Sequence, residues 1–445
     1  MKSAAVLLLL CAPARAADDL SSVVAAAVSR SPEVARAQAA RRQAEAAQHE
    51  ATMNRLPKLS ADGAVLRSDD PLFAFGTLLE ERRVAASDFA PPALNQPGYQ
   101  TAVLGGVQIG LPLFSGFAIS RAHEEAGLAA KEAEALGGAA TQGVRLRTID
   151  AYLAGLRDRA LLKELDERIA SSESEIASAE RLKKSGLILG SDHQAALAVL
   201  AGLKARRAQA QAEKNAHDAQ LAALLGGAAP DPEGSLSPWA APVADDAELV
   251  AAALAARPDL RAAGLRRDRA GVRERGAAQS LLPVVDAFAS LQTTGDGLDN
   301  GAGARMFGLR ASVPFGDPAY FSRRDRAHAE TEGAAQARAA LEDAVRSEVT
   351  AQAAAVRGVT AAAAEIDESL ARARESLVEV RPLYREGRQS IMEVLRAEEA
   401  AAKLAEASLD ARRRERTEWA ALRAAQGLLD DGSVTAIAHS LEETR

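Results

Sequence analysis

The side chains most often used for catalysis or metal binding are spaced in this chain in ways that predict neither. No two of the six histidines lie four residues apart, and the sequence has no H-E-x-x-H motif, so no helix face offers the paired imidazoles of a zinc hydrolase. The histidines are His49, His123, His193, His217, His328 and His439. We therefore expect surface histidines, no metal, no cofactor, no catalytic residue and no enzymatic activity.

Two glycine-rich segments have the composition of ligand-binding loops without the required spacing. Residues 105–110 fall within a strand pattern and lack the lysine that follows a phosphate-binding loop. Residues 295–301 contain two aspartates, but not at the intervals of an EF-hand calcium loop. We interpret the second segment as the turn of a β-hairpin.

The N-terminus has the pattern of a secretory signal over residues 1–16, with an apolar core at 4–12 and an A-x-A cleavage site at 14–16. The single cysteine, Cys11, falls inside this signal, so the mature chain would contain no thiol and no disulfide. The alternative is that Cys11 is lipidated. Leu10 stands before it, where a lipoprotein signal normally has a small residue.

Composition favours long helices over a thick globular core, because aromatic residues make up only 3% of the chain and alanine is abundant throughout. No apolar run approaches the ~20 residues that a membrane-spanning helix requires, so membrane insertion would have to use β-strands. The net charge of −7 provides no basic surface, and we exclude nucleic acid as a partner.

The sequence contains an internal duplication, so that it consists of two similar halves. Its matched landmarks are Pro32 with Pro258, Pro57 with Pro283, Pro112 with Pro314, and Gly186 with Gly387. The first two pairs lie 226 residues apart and the last two 202 and 201, so the first half carries an insertion of about two dozen residues between its strands. We predict that the loop containing this insertion, residues 69–100, is extracellular.

Five segments follow from the duplication and from the Gly- and Pro-rich stretch between the halves, where Trp239 is a local packing anchor. They are the signal at 1–16, a first repeat at 17–226, a linker at 227–245, a second repeat at 246–427, and a C-terminal tail at 428–445.

Each repeat contains two segments in which apolar and polar residues alternate with the period of a strand. These predicted strands are at about 59–68, 101–113, 284–294 and 304–315. Prolines are predicted where helix and strand exchange, because proline lacks the donor that continues a helix. They are Pro57, Pro112, Pro283 and Pro314.

A helix without any proline is predicted from about 118 to 184 and would be ~100 Å long at 1.5 Å per residue. Leu162, Ile169 and Ile176 recur in it at the seven-residue interval of a coiled coil. A coiled-coil scaffold would explain these helices, but it would not explain four strands.

Four strands cannot close a barrel, and an open sheet in hydrocarbon would leave backbone groups unpaired. The chain is therefore predicted to oligomerise. Two copies, with eight strands, or three copies, with twelve, are both compatible with known barrels, and the need for an open lumen favours three.

Two segments resemble the hairpin turns of the TolC-like outer-membrane efflux proteins. Residues 186–192 read G-L-I-L-G-S-D and are similar to the family's G-L-x-x-x-[ST]-D turn, while residues 387–395 read G-R-Q-S-I-M-E-V-L and are similar to G-x-x-[ST]-x-x-[DE]-V-L. Independently of the family, the glycines suit a helix end, and Ser191 or Ser390 could cap the helix that follows.

This resemblance implies a mainly α fold with a small antiparallel β part, built from a duplicated helix-strand-strand-helix-helix unit. It further implies a homotrimer with a 12-stranded outer-membrane β-barrel continued by a periplasmic α-helical barrel. The tips near 186–191 and 387–390 would dock onto a periplasmic adaptor, or membrane fusion protein. The matching docking residues are Gly186, Leu187, Ser191, Gly387, Arg388 and Ser390.

The resemblance also implies a periplasmic gate at Asp192, Tyr384 and Glu393. A ring of carboxylates there would attract cations. Two residues depart from the family's gate pattern: Arg396 stands where a second acid can occur, and Gln389 where a basic link can occur.

The function that this resemblance implies is a passive channel component of a tripartite efflux or type I secretion system. Its partners would be an adaptor, an inner-membrane pump and outer-membrane lipid, and the protein would extend from the outer membrane into the periplasm. The alternative is a soluble periplasmic coiled-coil adaptor or scaffold protein, for which a single helical hairpin flanked by compact β domains would be expected.

Overall fold

The structure is a computed structural model that describes residues 19–184, 189–297, 300–386 and 388–442, so the predicted signal sequence lies outside the described residues. The chain forms two compact units. The first comprises Met1–Ala40, Ala133–Ala263 and Ala337–Arg445, and the second comprises Arg41–Glu132 and Gly264–Gln336.

The fold is mainly helical, as predicted. In the described residues the helices are α1 (Leu20–Arg30), α2 (Pro32–Met53), α3 (Pro71–Glu80), α4 (Pro91–Asn95), α5 (Ala118–Lys184), α6 (Gly190–Leu225), α7 (Asp246–Ala256), α8 (Pro258–Ala278), α9 (Tyr320–Arg385), α10 (Ile391–Ala425) and α11 (Asp431–His439), with a short 3₁₀ turn at Ala86–Phe89. The 67-residue α5 and the 66-residue α9 occupy equivalent places in the two repeats.

The two repeats begin with the same local structure. Asp19 caps α1 by accepting a hydrogen bond from the backbone N–H of Ser22, and Asp245 caps α7 in the same way through Ala247. Each short helix is followed at once by a helix whose first residue is proline, a position where the missing N–H costs nothing.

One antiparallel sheet belongs to the second unit, with the strand order β1-β2-β3-β4. Its strands are β1 (Lys58–Ser68), β2 (Gln100–Ser115), β3 (Val284–Gly295) and β4 (Ala302–Ser312). The central pair, β2 with β3, joins the first repeat to the second. Sequence patterning therefore located all four strands, although some of their ends differ from those predicted.

The fourth strand ends earlier than predicted, at Ser312 rather than Phe315. Pro314 supplies no N–H to the ladder, and the N–H of Phe315 donates to the carbonyl of Val313, which bends the chain locally. Pro314 thus lies between β4 and α9. Pro57 and Pro283 each stand one residue before a strand.

Pro112 does not lie at a helix–strand exchange, contrary to the prediction. It lies inside β2, where the register passes from Pro112 to Phe114 at a bulge opposite Asp286 and Val285. A bulge tolerates a residue without a donor. The chain leaves β2 for α5 through Gly116 and Phe117, which both have positive φ values.

The segment predicted as a loop, residues 69–100, connects β1 to β2 and contains α3, the 3₁₀ turn and α4. Asp70 caps α3 by accepting from the N–H of Phe73, and Pro71 is at the start of that helix. Pro71 and Pro91 therefore begin helices. Arg83 also pairs with Asp296 at 2.7 Å, which ties the insertion to the end of β3.

The C-terminal segment is likewise more than a tail. Its helix α11 packs Val434 and Ile437 into the main hydrophobic core of the first unit. Arg416 of α10 is fully buried and donates to the carbonyl oxygens of Ser237 (2.9 Å) and Ser440 (2.7 Å). One guanidinium thus fastens both the linker and the C-terminus to α10.

Trp239 is a packing anchor, as predicted. Its ring meets Trp419 edge-to-face with centroids 5.4 Å apart, and the Arg416 guanidinium lies over its face. The indole N–H of Trp419 donates to the carbonyl of Pro242. The linker is held along α10 by these contacts.

Candidate functional site

The first hairpin tip lies between α5 and α6. Gly186 and Leu187 fall outside the described residues. Ser191 does not cap α6, contrary to the prediction, because the helix already begins at Gly190 and Leu189 occupies the N-cap position without a side-chain bond. Ser191 is exposed, and its hydroxyl lies 3.4 Å from the carboxylate of Asp192.

The second tip lies between α9 and α10, and its Gly387 is outside the described residues. Ser390 is the N-cap residue of α10, as expected, but its side chain makes no capping hydrogen bond. Arg388 is exposed and lies 3.4 Å from Glu386. Both polar side chains therefore remain accessible at the surface of the chain.

Beneath the tips, a hydrophobic cluster brings the two hairpins together. Its buried members come from α5, α6, α9 and α10, and they are Ile176, Ala179, Ala196, Leu200, Tyr384, Ile391, Val394 and Leu395. The duplicated turns, 201 residues apart in sequence, thus share one packed base.

The three predicted gate residues have different environments. Tyr384 is only 7% exposed, its hydroxyl has no hydrogen-bond partner among the described residues, and burial raises its pKa, with the charge of Glu175 adding to the shift. Asp192 is half-buried, and Glu393 is exposed. Glu393 pairs with Arg396 at 2.9 Å, so the residue that departs from the family pattern partly neutralises one predicted gate acid.

Sequence reasoning missed a polar cluster in the packed helices beside Tyr384. The carboxylate of Glu398, 3% exposed, accepts hydrogen bonds from Ser172 of α5 (3.2 Å) and from Arg381 of α9 (2.6 Å). Arg381 also lies 3.3 Å from Glu175. The cluster joins the two long helices to α10.

Burial raises the pKa of the Glu175 carboxyl to about 7, and the negative charge of Glu398 adds to this, while Arg381 acts in the opposite direction. A sequence signal for the cluster did exist. Glu398 falls on the buried stripe of α10, between Val394 and Ala401 at helical spacing.

The sheet has one apolar and one polar face. On the apolar face, Phe307, Leu309 and Leu59 are exposed by 86%, 71% and 73%. The polar face carries Lys58, Gln108, Asp286 and Arg310. Within the described residues, β1 and β4 each pair with one strand only, so both sheet edges present unpaired backbone groups.

Aromatic side chains cluster where the strands meet the long helices. Phe114 and Phe117 pack edge-to-face at 5.2 Å in the first repeat, as do Tyr320 and Phe321 at the same distance in the second. Phe315 is almost fully exposed. Aromatic rings at the end of a membrane-spanning segment are typical of membrane proteins, in which they lie at the membrane–water interface.

None of the helices, as far as they are described, is long and apolar enough to cross a membrane. In the same described ranges, no three His, Cys, Asp or Glu side chains are grouped so as to hold a metal ion.

Residues 249–428 match the family described as outer membrane efflux protein. No curated protein matches the sequence. Among solved structures, the chain resembles the CmeC outer membrane channel of Campylobacter jejuni, with a TM-score of 0.77, 14% identity and coverage of 96% of this chain and 90% of that one. It also resembles the outer membrane protein VceC of Vibrio cholerae, with a TM-score of 0.74, 18% identity and coverage of 92% of this chain and 97% of that one. A third similar structure is the open state of the Neisseria gonorrhoeae MtrE outer membrane channel, with a TM-score of 0.75, 17% identity and coverage of 93% of this chain and 90% of that one.

At these identities the structural likeness establishes the fold, which is that of outer-membrane channel subunits along nearly the whole chain. The sequence match covers most of the second repeat, and that part of the chain is similar to the outer membrane efflux proteins.

Proposed function

We propose that this protein is the passive channel component of a tripartite efflux or type I secretion system and that it works as a homotrimer in the outer membrane. The observation that carries the proposal is the four-stranded sheet, with an exposed apolar face and two unpaired edges. In hydrocarbon each unpaired backbone group costs several kcal/mol, so such a sheet is stable there only when other copies complete it.

Closure would pair β4 of one copy with β1 of the next. Three copies of the four strands give twelve, which is wide enough for an aqueous lumen, whereas eight strands are filled by side chains. The apolar face would then meet lipid, and the polar face would line the lumen. CmeC and MtrE are named as channels, which supports this arrangement by analogy.

The exposed aromatic residues Phe315 and Phe321 would lie at the membrane boundary, where the long helices begin, and the helical part would extend from there into the periplasm. An inner-membrane pump would supply the energy, and the duct itself would need no bound cofactor. The helical insertion at 69–100 would then lie at the extracellular end.

The tips would dock onto a periplasmic adaptor through Gly186, Leu187, Ser191, Gly387, Arg388 and Ser390. Exposure of Ser191 and Arg388 and the shared packed base of the hairpins support this proposal. At the same end, Asp192, Tyr384 and Glu393 would form the periplasmic gate. The Glu393–Arg396 pair would make that gate less acidic than two free carboxylates.

The alternative, a soluble periplasmic adaptor or scaffold, is not favoured. In a soluble protein the sheet face on which Phe307 is 86% exposed would be in contact with water, and an exposed apolar patch of this kind promotes aggregation. The whole-chain likeness to outer-membrane channels also disagrees with it.

The native mass of the full-length protein, extracted with mild detergent from urea-washed membranes, tests the proposal. A trimer that depends on detergent is the expected result. Release by urea as a soluble monomer or dimer would overturn the duct in favour of the scaffold.

A further inference from the structure

The polar face of the sheet borders a cavity of about 540 Å³ whose other wall is formed by α2 and α5. Ala51 and Ile119 contribute to the helical wall, and Lys58, Gly110 and Phe288 contribute to the sheet wall. Every lining residue belongs to the second unit. No described residue of the hairpin tips or of the gate lines the cavity.

The floor of the cavity is the part of the sheet wall around Gly110. In this row of the sheet register, Lys58, Gly110, Phe288 and Gly308 are direct neighbours on successive strands. A side chain added at Gly110 would meet no atom within 4 Å, so the space above this glycine is open. Lys58 and Phe288 flank that space about 10 Å apart across two strand spacings. A flat ring system fits between them.

Phe288 is held in place from two sides. A Cβ at position 308 would stand 3.1 Å from its ring, so only glycine lets the ring lie across the neighbouring strand. The guanidinium of Arg310 lies over the same ring at 5.4 Å from its centroid. The aromatic wall and the cation beside it are therefore fixed before any ligand arrives.

The charges of the cavity do not cancel. Among the described residues, Lys58, Asp286 and Arg310 make no ion pair. Asp286 and Arg310 are direct register partners, so their charges largely offset one another at a distance. The ammonium of Lys58 is left uncompensated at the opposite side of the open glycine floor, which favours a ligand with a single negative charge.

We propose that this cavity is a binding subsite for planar aromatic monoanions, with the ring system over Gly110 against Phe288 and the anionic group at Lys58. A role of this subsite in export rests on the proposed function, because the subsite lines a lumen only if the chain forms the proposed channel. Binding itself is a property of the isolated protein and is tested separately from assembly.

Equilibrium dialysis of the full-length protein in detergent measures the site directly, with empty micelles as the blank. The probes are 2-naphthoate, the neutral 2-naphthylmethanol and the cationic 2-naphthylmethylammonium. We expect saturable binding in the order anion, neutral, cation. Lys58→Gln should weaken naphthoate binding at least about fivefold and leave naphthylmethanol unchanged.

Two further variants separate charge from shape. Gly110→Val should abolish binding of both the anion and the neutral probe by filling the floor, while Asp286→Asn should strengthen naphthoate binding. The matched control is Lys131→Gln, an exposed lysine outside the cavity. Equal binding of the three probes, or equal losses in Lys58→Gln and Lys131→Gln, would overturn the subsite.

The native mass of each dialysed sample keeps the two proposals distinct. A trimer without charge-selective binding refutes the subsite alone. A monomer that binds naphthoate selectively supports the subsite while contradicting the duct.

Discussion

Arg381 of α9 donates a 2.6 Å hydrogen bond to the carboxylate of Glu398 on α10, and the same guanidinium lies 3.3 Å from Glu175 on α5. One cation thus serves two carboxylates from two other helices, in a place where neither acid has much access to water. We expect the stability of the helices behind the tips to depend on that cation.

Replacing Arg381 with methionine should lower the free energy of unfolding by about 1–3 kcal/mol, because two largely buried carboxylates lose their shared donor. Urea denaturation of the detergent-solubilised protein measures this. The matched control is Arg388→Met, whose exposed pair with Glu386 should contribute less than about 0.5 kcal/mol. Equal effects of the two substitutions would contradict the importance of the cluster.

The same cluster predicts a pH dependence of stability. The folded-state pKa of Glu175 is about 7, well above the value near 4.3 of an unfolded glutamate, so the folded chain holds this proton more tightly. Stability should therefore decline as the pH rises from about 4.5 to about 7.5 and level off above, with a total loss of about 1–3 kcal/mol from this group.

Glu175→Gln should flatten that decline, as measured by urea midpoints across the pH range. The groups facing Glu175 are Glu398 on α10 and Arg381 and Arg385 on α9. Glu415 is a second buried acid with a pKa raised by burial to about 7, so Glu415→Gln should remove a further, separate part of the slope. An unchanged slope in Glu175→Gln would show that this carboxyl titrates normally.

The two faces of the sheet should respond differently to charge. Phe307→Arg places a cation on the apolar face and should cost about 2–4 kcal/mol of membrane stability if that face meets lipid. Met306→Arg, one residue away on the polar face, should cost far less. The fraction of urea-resistant protein in outer-membrane extracts compares them, and equal losses would argue against a lipid-facing surface.

Docking at the tips predicts that bulky residues there weaken adaptor binding without affecting assembly. The double substitution Gly186→Leu and Gly387→Leu should reduce cross-linking to the adaptor about tenfold or more while the native mass stays unchanged. The control is Leu189→Ala, which shortens a side chain within the first tip instead of adding bulk. Normal efflux in the double variant would remove these glycines from the docking surface.

The strands were predictable because alternation over ten residues is a local signal, and the long helices because nothing in 118–184 interrupts a helix. The helices α3 and α11 were missed because α3 begins at Pro71, a residue that reads as a loop signal, and α11 is stable chiefly through Val434 and Ile437 in a distant core.

The Arg381 cluster was not predictable for a different reason. Its hydrogen bonds require the axial alignment of α5, α9 and α10, and no local pattern sets the height of Ser172 relative to Glu398. Ser191 shows the same limit on a smaller scale, since a two-residue shift in the start of α6 moved the cap to Leu189.

The pairing of β2 with β3 has a consequence for how the proposed trimer would assemble. Because this pairing lies within one polypeptide, a ring of six hairpins would need only three interfaces between separate chains, which would make its formation less sensitive to dilution. The two repeats can also differ in sequence because they lie in one polypeptide. The first tip contains Ser191 and is followed by Asp192, whereas the second contains Ser390 and is followed by Glu393. The proposed ring would therefore present two alternating kinds of tip to a partner with threefold symmetry.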